Sequence, residues 1–239
     1  MKKKCLLFFI AGALLFSGTL TAQDKYKIDK EDFFPFSVWY SGGKIRATML
    51  SSISPNSREE WKHDIQQIKS LGFNSIKTWI EWSHCEPRKG AYNFENLKMI
   101  LDLADEEGLK VIIQVYAESA PEWVGKEFPD ALFEAQNGYR IRPQVAPGYC
   151  IDNKGVQDAL VKFYQEAAKI AIKYPSLYGW DLWSEPHIVQ WGSPEWIKDA
   201  QYCFCPNTQE RFRQWVKAKY VTLEAVSYTH LTLPTNREV

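Results

Sequence analysis

The strongest constraint in this chain is an alternation. Short apolar runs take turns with amphipathic helical segments, and each helical segment closes on Gly or Pro just before the next run. Phe33–Tyr40 is apolar and aromatic and reads as a first strand, broken by Gly42-Gly43. Pro55-Asn56-Ser57 then opens a helix, with Ser57 and Glu60 in capping-box spacing. Trp61, Ile65, Ile68 and Leu71 follow at helical period until Gly72 stops it. Phe73–Ile80 is a second strand. Glu95–Glu107 is a second helix burying Leu97, Ile100, Leu101 and Ala104, ended by Gly108, and Lys110–Tyr116 is a third strand. After an excursion over Ala117–Gly155 that carries Pro121, Pro129, Pro143 and Pro147, a third helix covers Val156–Tyr174, Pro175 stops it, and Tyr178–Trp183 is a fourth strand. The order β-α-β-α-β-α-β predicts an α/β fold with a parallel sheet and right-handed crossovers. A doubly wound sheet would want a G-x-G-x-x-G turn after its first strand, and none is present. The (β/α)8 TIM barrel is therefore the preferred reading, with about its first four βα units in this chain.

The fourth strand ends at Ser184-Glu185-Pro186, because Pro186 has no N–H for a sheet ladder. Glu185 is thus expected at the C-terminal end of a strand, the rim where parallel barrels collect catalytic side chains. A surface carboxylate or a partner for a buried Arg is the plainer reading of the same residue. Charge narrows the partners. The 239 residues carry 29 basic and 29 acidic side chains, net +0, so nothing favours nucleic acid or an anionic membrane. The 10 Trp and 12 Tyr offer faces that suit sugars, though indoles also fill cores. Lys2-Lys3-Lys4, the apolar run Leu6–Phe16 and Leu20-Thr21-Ala22 read as a signal peptide over 1–22. This predicts a periplasmic or secreted protein with no membrane attachment after cleavage, with an uncleaved anchor as the other reading. Residues 23–32 are a polar lead-in.

Several short segments resemble clan-A glycosidases. They are Asp64-Ile65 with Leu71–Lys77, Glu86-Pro87 with Gly90-Ala91-Tyr92-Asn93-Phe94, Ala120-Pro121-Glu122-Trp123, Tyr149-Cys150, Trp180 with Ser184-Glu185, and Cys203-Phe204-Cys205 with Phe212–Trp215, Lys219-Tyr220 and Leu223-Glu224-Ala225. Their order and spacing resemble the N-terminal catalytic part of glycoside hydrolase family 42, the beta-galactosidase family, over about Phe36–Ala225. The resemblance implies a retaining glycosidase acting on terminal beta-galactosyl residues of an oligosaccharide or glycoside. Its acid/base Glu follows strand four, which is Glu185 here, and its nucleophile Glu follows strand seven. A retaining enzyme needs its two carboxyls about 5 Å apart, one to protonate the leaving oxygen and one to attack. Ser184, Trp82, Glu118, Trp123 and His187 are the expected substrate-contacting residues. Glu81 joins Glu118 as a rim candidate, Glu86 is expected to be structural, and Lys77 to pair with a barrel carboxylate.

The sequence departs from the family pattern at Ser184 (Asn in the family), Ala146 (often a sugar-contacting Arg) and Lys77 (Arg), which leaves another clan-A exo-glycosidase open. A non-catalytic carbohydrate-binding or inactive fragment is the alternative of a different class. The family's zinc loop resembles C-x-C-x-x-C plus the Cys of Tyr149-Cys150. Here Cys150, Cys203 and Cys205 remain and Thr208 takes the last position, so a structural zinc or a disulfide from Cys150 to one of the pair is expected. Four strands are half of a barrel, which predicts a truncated domain over 33–225, inactive alone. The run 226–239 reads as foreign to the fold, with a divergent natural tail as the other reading. Homo-oligomerisation is left open.

Overall fold

The computed structural model of the chain describes residues 33–44, 49–141, 147–183 and 201–220. Its fold lies in the unit from Pro35 onward. The elements are β1 (Ser37–Trp39), α1 (Ser57–Ser70), β2 (Ser75–Glu81), a short α2 (Trp82–Cys85), α3 (Glu95–Glu107), β3 (Lys110–Tyr116), a short α4 (Glu122–Glu127), α5 (Lys154–Ala171), β4 (Leu177–Asp181) and α6 (Pro206–Lys219). The strands form one parallel sheet in the order β1-β2-β3-β4. Each neighbour follows the last in sequence, as in a barrel wall; a doubly wound sheet would reverse direction. The short α4 lies within the excursion over Ala117–Gly155.

Strand parity decides which side chain faces what. In β2, Ile76, Thr78 and Ile80 are buried, and in β3 so are Val111, Ile113 and Val115. The apolar members of these rows join one core with Trp61 and Ile65 of α1, Leu97, Ile100, Leu101 and Ala104 of α3, and Val156, Leu160, Phe163 and Ala167 of α5. The helical periods read from the sequence are the faces that pack on the sheet. Phe163 sits at the centre of a ring cluster, 5.5 Å from Phe94, 6.0 Å from Trp82 and 6.4 Å from Tyr92. Burying one such ring contributes about 1.5–3 kcal/mol.

The boundaries moved where local hydrogen bonding overrode pattern. The first strand shrinks to Ser37–Trp39 because only this stretch registers with Ser75–Lys77. The capping box does not form: the Ser57 hydroxyl accepts from the Ser54 amide at 2.8 Å, and Glu60 N–H donates to the Asn56 carbonyl at 3.1 Å. Asn56 is therefore the cap residue, without a side-chain bond. α5 begins two residues before Val156 because Asn153 caps it, accepting from Gly155 N–H at 3.0 Å and Val156 N–H at 3.1 Å. β4 ends at Asp181, earlier than Trp183.

Candidate active site

The other parity of the strands builds the opposite face of the sheet. Register places Trp39, Lys77, Ile112 and Gly179 in one row, and Trp79, Gln114 and Asp181 in the next. Glu81 and Tyr116 form the row at the C-terminal edge. This face is polar and aromatic where the helix-facing side is aliphatic. Lys77 reaches from β2 across β3 to Asp181 of β4, Nζ to Oδ2 2.5 Å, with both side chains mostly shielded. The Lys77 ammonium also lies 5.4 Å from the centre of the Trp39 ring. Trp79 stacks on Tyr116 at 5.2 Å and 19°, and tilts against Trp39 at 5.8 Å.

At the strand ends, Glu81 accepts from Ser83 Oγ at 3.1 Å and from Ser119 Oγ, and the two hydroxyls are 2.7 Å apart. Ser83 N–H donates to the Ser119 carbonyl at 2.8 Å, tying the ends of β2 and β3 together. Glu118 is held from behind by Gly148, where an added Cβ would lie 2.6 Å from the Glu118 carbonyl oxygen. Gly148 also sits at φ +71°, so this close approach requires glycine. Burial first, and then the carboxylates of Glu118 and Glu81, push the Tyr116 phenol up to about 12. Burial, then Glu118 and Asp181, does the same for Tyr164 of α5, also to about 12. Tyr164 donates to the Leu182 carbonyl at 3.0 Å, just past β4. Two polar atoms on this face, Trp79 Nε1 and Gln114 Oε1, are buried with no hydrogen-bond partner among the described residues. Stacked rings, a shielded ion pair, two rim carboxylates and an unpaired donor and acceptor together suit a ring that is apolar on its face and hydroxylated at its edge.

The expected site residues divide three ways. Ser184, Glu185 and His187 lie outside the described residues, as do Ala146, the 1–22 segment, the 23–32 lead-in and the 226–239 run. Glu118 is at the rim. Trp82 must be corrected: it is 1% exposed, and its indole N–H donates to Glu86 at 2.8 Å, so it offers no face to a sugar. Trp123 packs edge-on to Trp82, donates to the Glu86 carbonyl at 3.1 Å and has Lys89 above its ring. The aromatic residues of the concave face are instead Trp39, Trp79 and Tyr116. The sequence held that signal in the period-two run Lys77, Trp79, Glu81. Lys77 pairs with a barrel carboxylate as expected. Glu86 is structural: 2% exposed, it accepts from Trp82 and, at 2.8 Å, from Gly90 N–H.

A second cluster lies apart from this face. Cys150, Cys203 and Cys205 are free thiols whose sulfurs all lie within 4.8 Å of one another. The long excursion after β3 brings them together. Phe204 N–H bonds to the Glu134 carbonyl at 2.8 Å and Cys150 N–H to the Ala131 carbonyl at 2.7 Å, closing a small core of Phe133, Ile141, Cys150 and Cys205. Hydrogen bonding from Cys150 lowers the Cys203 thiol to about 5, while the same contact and burial push Cys150 up.

Comparison with known proteins agrees with this architecture. The family model for glycoside hydrolase family 42, beta-galactosidase, matches residues 54–232. A beta-galactosidase of Heyndrickxia coagulans is 27% identical over 167 residues, 69% of this chain and 23% of that protein. One of Lactobacillus acidophilus is 28% identical over 176 residues, 71% of this chain and 24% of that protein. The chain thus spans about a quarter of the length of these curated relatives. The solved beta-galactosidase of the Antarctic haloarchaeon Halorubrum lacusprofundi superposes with a TM-score of 0.60 at 20% identity, over 73% of this chain and 25% of that one. That likeness is one of fold, and with the sequential parallel sheet it makes the four strands here a partial TIM barrel. Because the family match runs through both the sheet and the thiol cluster, this chain belongs to glycoside hydrolase family 42, the beta-galactosidase family.

Proposed function

We propose that this chain carries the acid/base part of a retaining, beta-galactosidase-like active site, with Glu185 as the proton donor and acceptor. The observation that carries the reading is the course of β4. Its last residue, Asp181, is on the concave face beside Lys77, near the strand ends where β2 and β3 deliver Glu81 and Glu118, and Glu185 follows four positions later in the sequence. In the first step Glu185 gives its proton to the glycosidic oxygen while a second carboxylate, from the family's strand-seven position, attacks the anomeric carbon. In the second step Glu185 takes a proton from water, and that water displaces the enzyme carboxylate from the sugar. Trp79 and Tyr116 would stack on the sugar, and Glu81 and Glu118 would accept from its hydroxyls.

The substrate is a glycoside or oligosaccharide with a terminal beta-linked hexose, galactose by family. Residues 1–22 would direct export to the periplasm or medium. Cys150, Cys203 and Cys205 fit a structural zinc, since three sulfurs share one small volume and backbone amides point at two of them. Bound there, the ion would cross-link the excursion after β3 to the start of α6, far along the chain, and take no part in bond cleavage.

The test is kinetic, in a glycoside-hydrolysing protein that contains this chain. Glu185→Gln should lose about 10²–10⁴-fold in rate on glycosides with poor leaving groups. An activated aryl glycoside should be nearly spared in its first step, and azide should partly restore the second, because an anion needs no general base. Unchanged kcat/KM on the poor-leaving-group substrate would remove Glu185 from the role.

A further inference from the structure

We infer that Thr208 holds the fourth corner of the thiol cluster and makes it a metal centre with one exchangeable position, unlike a closed four-thiolate staple. The inference rests on the reading of the three cysteines as zinc ligands and goes past it, to what the ion can still bind.

The distances define the corner. Thr208 Oγ1 lies 3.2 Å from Cys150 Sγ and 3.4 Å from Cys205 Sγ, and those sulfurs are 3.6 Å apart. A tetrahedral ion at the usual zinc–sulfur and zinc–oxygen lengths separates its ligands by about 3.8 Å (S to S) and about 3.5 Å (S to O). The hydroxyl and these two sulfurs therefore already stand about as far apart as ligands of one ion, with the Cys203 sulfur within 4.8 Å of both sulfurs. Among the described residues, no His or carboxylate joins the three sulfurs in their cluster. C-x-C-x-x-C spacing, counted from Cys203, would put a thiol at 208, where this chain has Thr.

Backbone amides converge on two of the three sulfurs. Glu134 and Cys205 N–H groups each approach Cys203 Sγ at 3.4 Å, and Thr208 N–H approaches Cys205 Sγ at 3.4 Å. Amides aimed at sulfur stabilise its negative charge. Cys205 is also the N-cap of the 14-residue α6, whose positive end adds to this. The fourth donor is different in kind. A threonine hydroxyl is neutral at working pH and a poor ligand beside thiolate, imidazole or carboxylate. Access differs too: Cys150 and Cys205 are each 1% exposed, whereas Cys203 and Thr208 are only partly buried. The weakest ligand therefore stands at a corner that solvent reaches, and a soft donor such as a small thiolate would displace it.

Cobalt(II) reports thiolate number through its sulfur-to-metal charge-transfer band and can be bound by the reduced protein under argon. In the unaltered protein the band should correspond to three thiolates. Millimolar 2-mercaptoethanol should raise it by about a third, the step from three to four. Thr208→Cys should start at the four-thiolate intensity and ignore the added thiol. Thr208→Val, which keeps the volume and removes the oxygen, should behave as the unaltered protein does, and it decides the matter if the cysteine variant fails to fold. A band in the unaltered protein or in Thr208→Val that does not respond to 2-mercaptoethanol would overturn the exchangeable corner while leaving the metal reading intact. No cobalt band in any form, with all thiols counted as reduced, would overturn both.

Discussion

Replacing Glu86 by Gln exchanges one oxygen for an amide, and the structure makes that small change costly. The carboxylate is 2% exposed and uses both oxygens: Oε2 accepts from the Trp82 indole and Oε1 from Gly90 N–H, each at 2.8 Å. The phenol of Tyr92 also leans on it and is held up at about 12, by burial first and then by the charge and hydrogen bond of Glu86. A glutamine keeps one acceptor and turns an NH2 group toward a second donor. It therefore forfeits one charge-assisted bond, worth about 1.5–3 kcal/mol, and strands a buried N–H at a further cost of about 1–3 kcal/mol. The expected loss is about 3 kcal/mol for Glu86→Gln, and more for Glu86→Ala, which strands both donors. For a domain of this size 3 kcal/mol lowers Tm by about 6–12 °C. Urea unfolding followed by tryptophan fluorescence measures it, and Trp82 and Trp123, bonded to the Glu86 side chain and carbonyl, should report early loosening. A Glu86→Gln variant within about 0.5 kcal/mol of the parent would refute the claim that both oxygens are engaged.

Two further outcomes concern the Lys77–Asp181 pair and three partly buried tyrosines. Lys77→Met leaves Asp181 without its partner in a mostly shielded site and should destabilise by about 2–3 kcal/mol, between exposed and fully buried pairs. Combining it with Asp181→Asn should cost less than the two single losses added, and strict additivity in the double-mutant cycle would argue against a direct pair. Tyr116, Tyr164 and Tyr92 have folded pKa values near 12 against about 10 unfolded. The unfolded chain therefore releases these protons first, and their contribution to stability is complete below pH 10 and lost as pH rises from 10 through 12. Absorbance at the phenolate wavelength should show a group of tyrosines titrating late, and stability that is flat between pH 9 and 12 would contradict the assignment.

Much of the fold could be read from the chain because it rests on local periodicity. The apolar faces of α1, α3 and α5 and the buried run of β3 repeat at intervals that fix which side packs inward, whatever lies beyond. The alternation of strands with Gly- or Pro-terminated helices left a parallel sheet as the consistent arrangement. Caps were less legible. Ser57 and Glu60 have the right spacing, yet Ser57 bonds to Ser54 and the box is unused, whereas Asn153 caps α5 without an obvious signature. Short helices α2 and α4 depend on Trp82 and Trp123 converging on Glu86, a contact that no window of sequence displays.

The sequence by itself determined the strand and helix order, the family, and the residue types available for the chemistry, because these depend on near neighbours and on motif spacing. Only the tertiary structure decided which residues meet. Lys77 and Asp181 are 104 positions apart and become a pair because β3 sets β2 and β4 at the distance a lysine can span. Cys150 and Cys205 are separated by 55 positions and meet because the excursion after β3 folds back on the segment before α6. Trp82 and Trp79 are three positions apart and look alike as sugar platforms. Trp82 keeps the parity of Ile76, Thr78 and Ile80 and lies in the core, while Trp79 shares the parity of Lys77 and Glu81 and stays on the concave face; which parity turns inward is settled only when α1, α3 and α5 pack on the sheet.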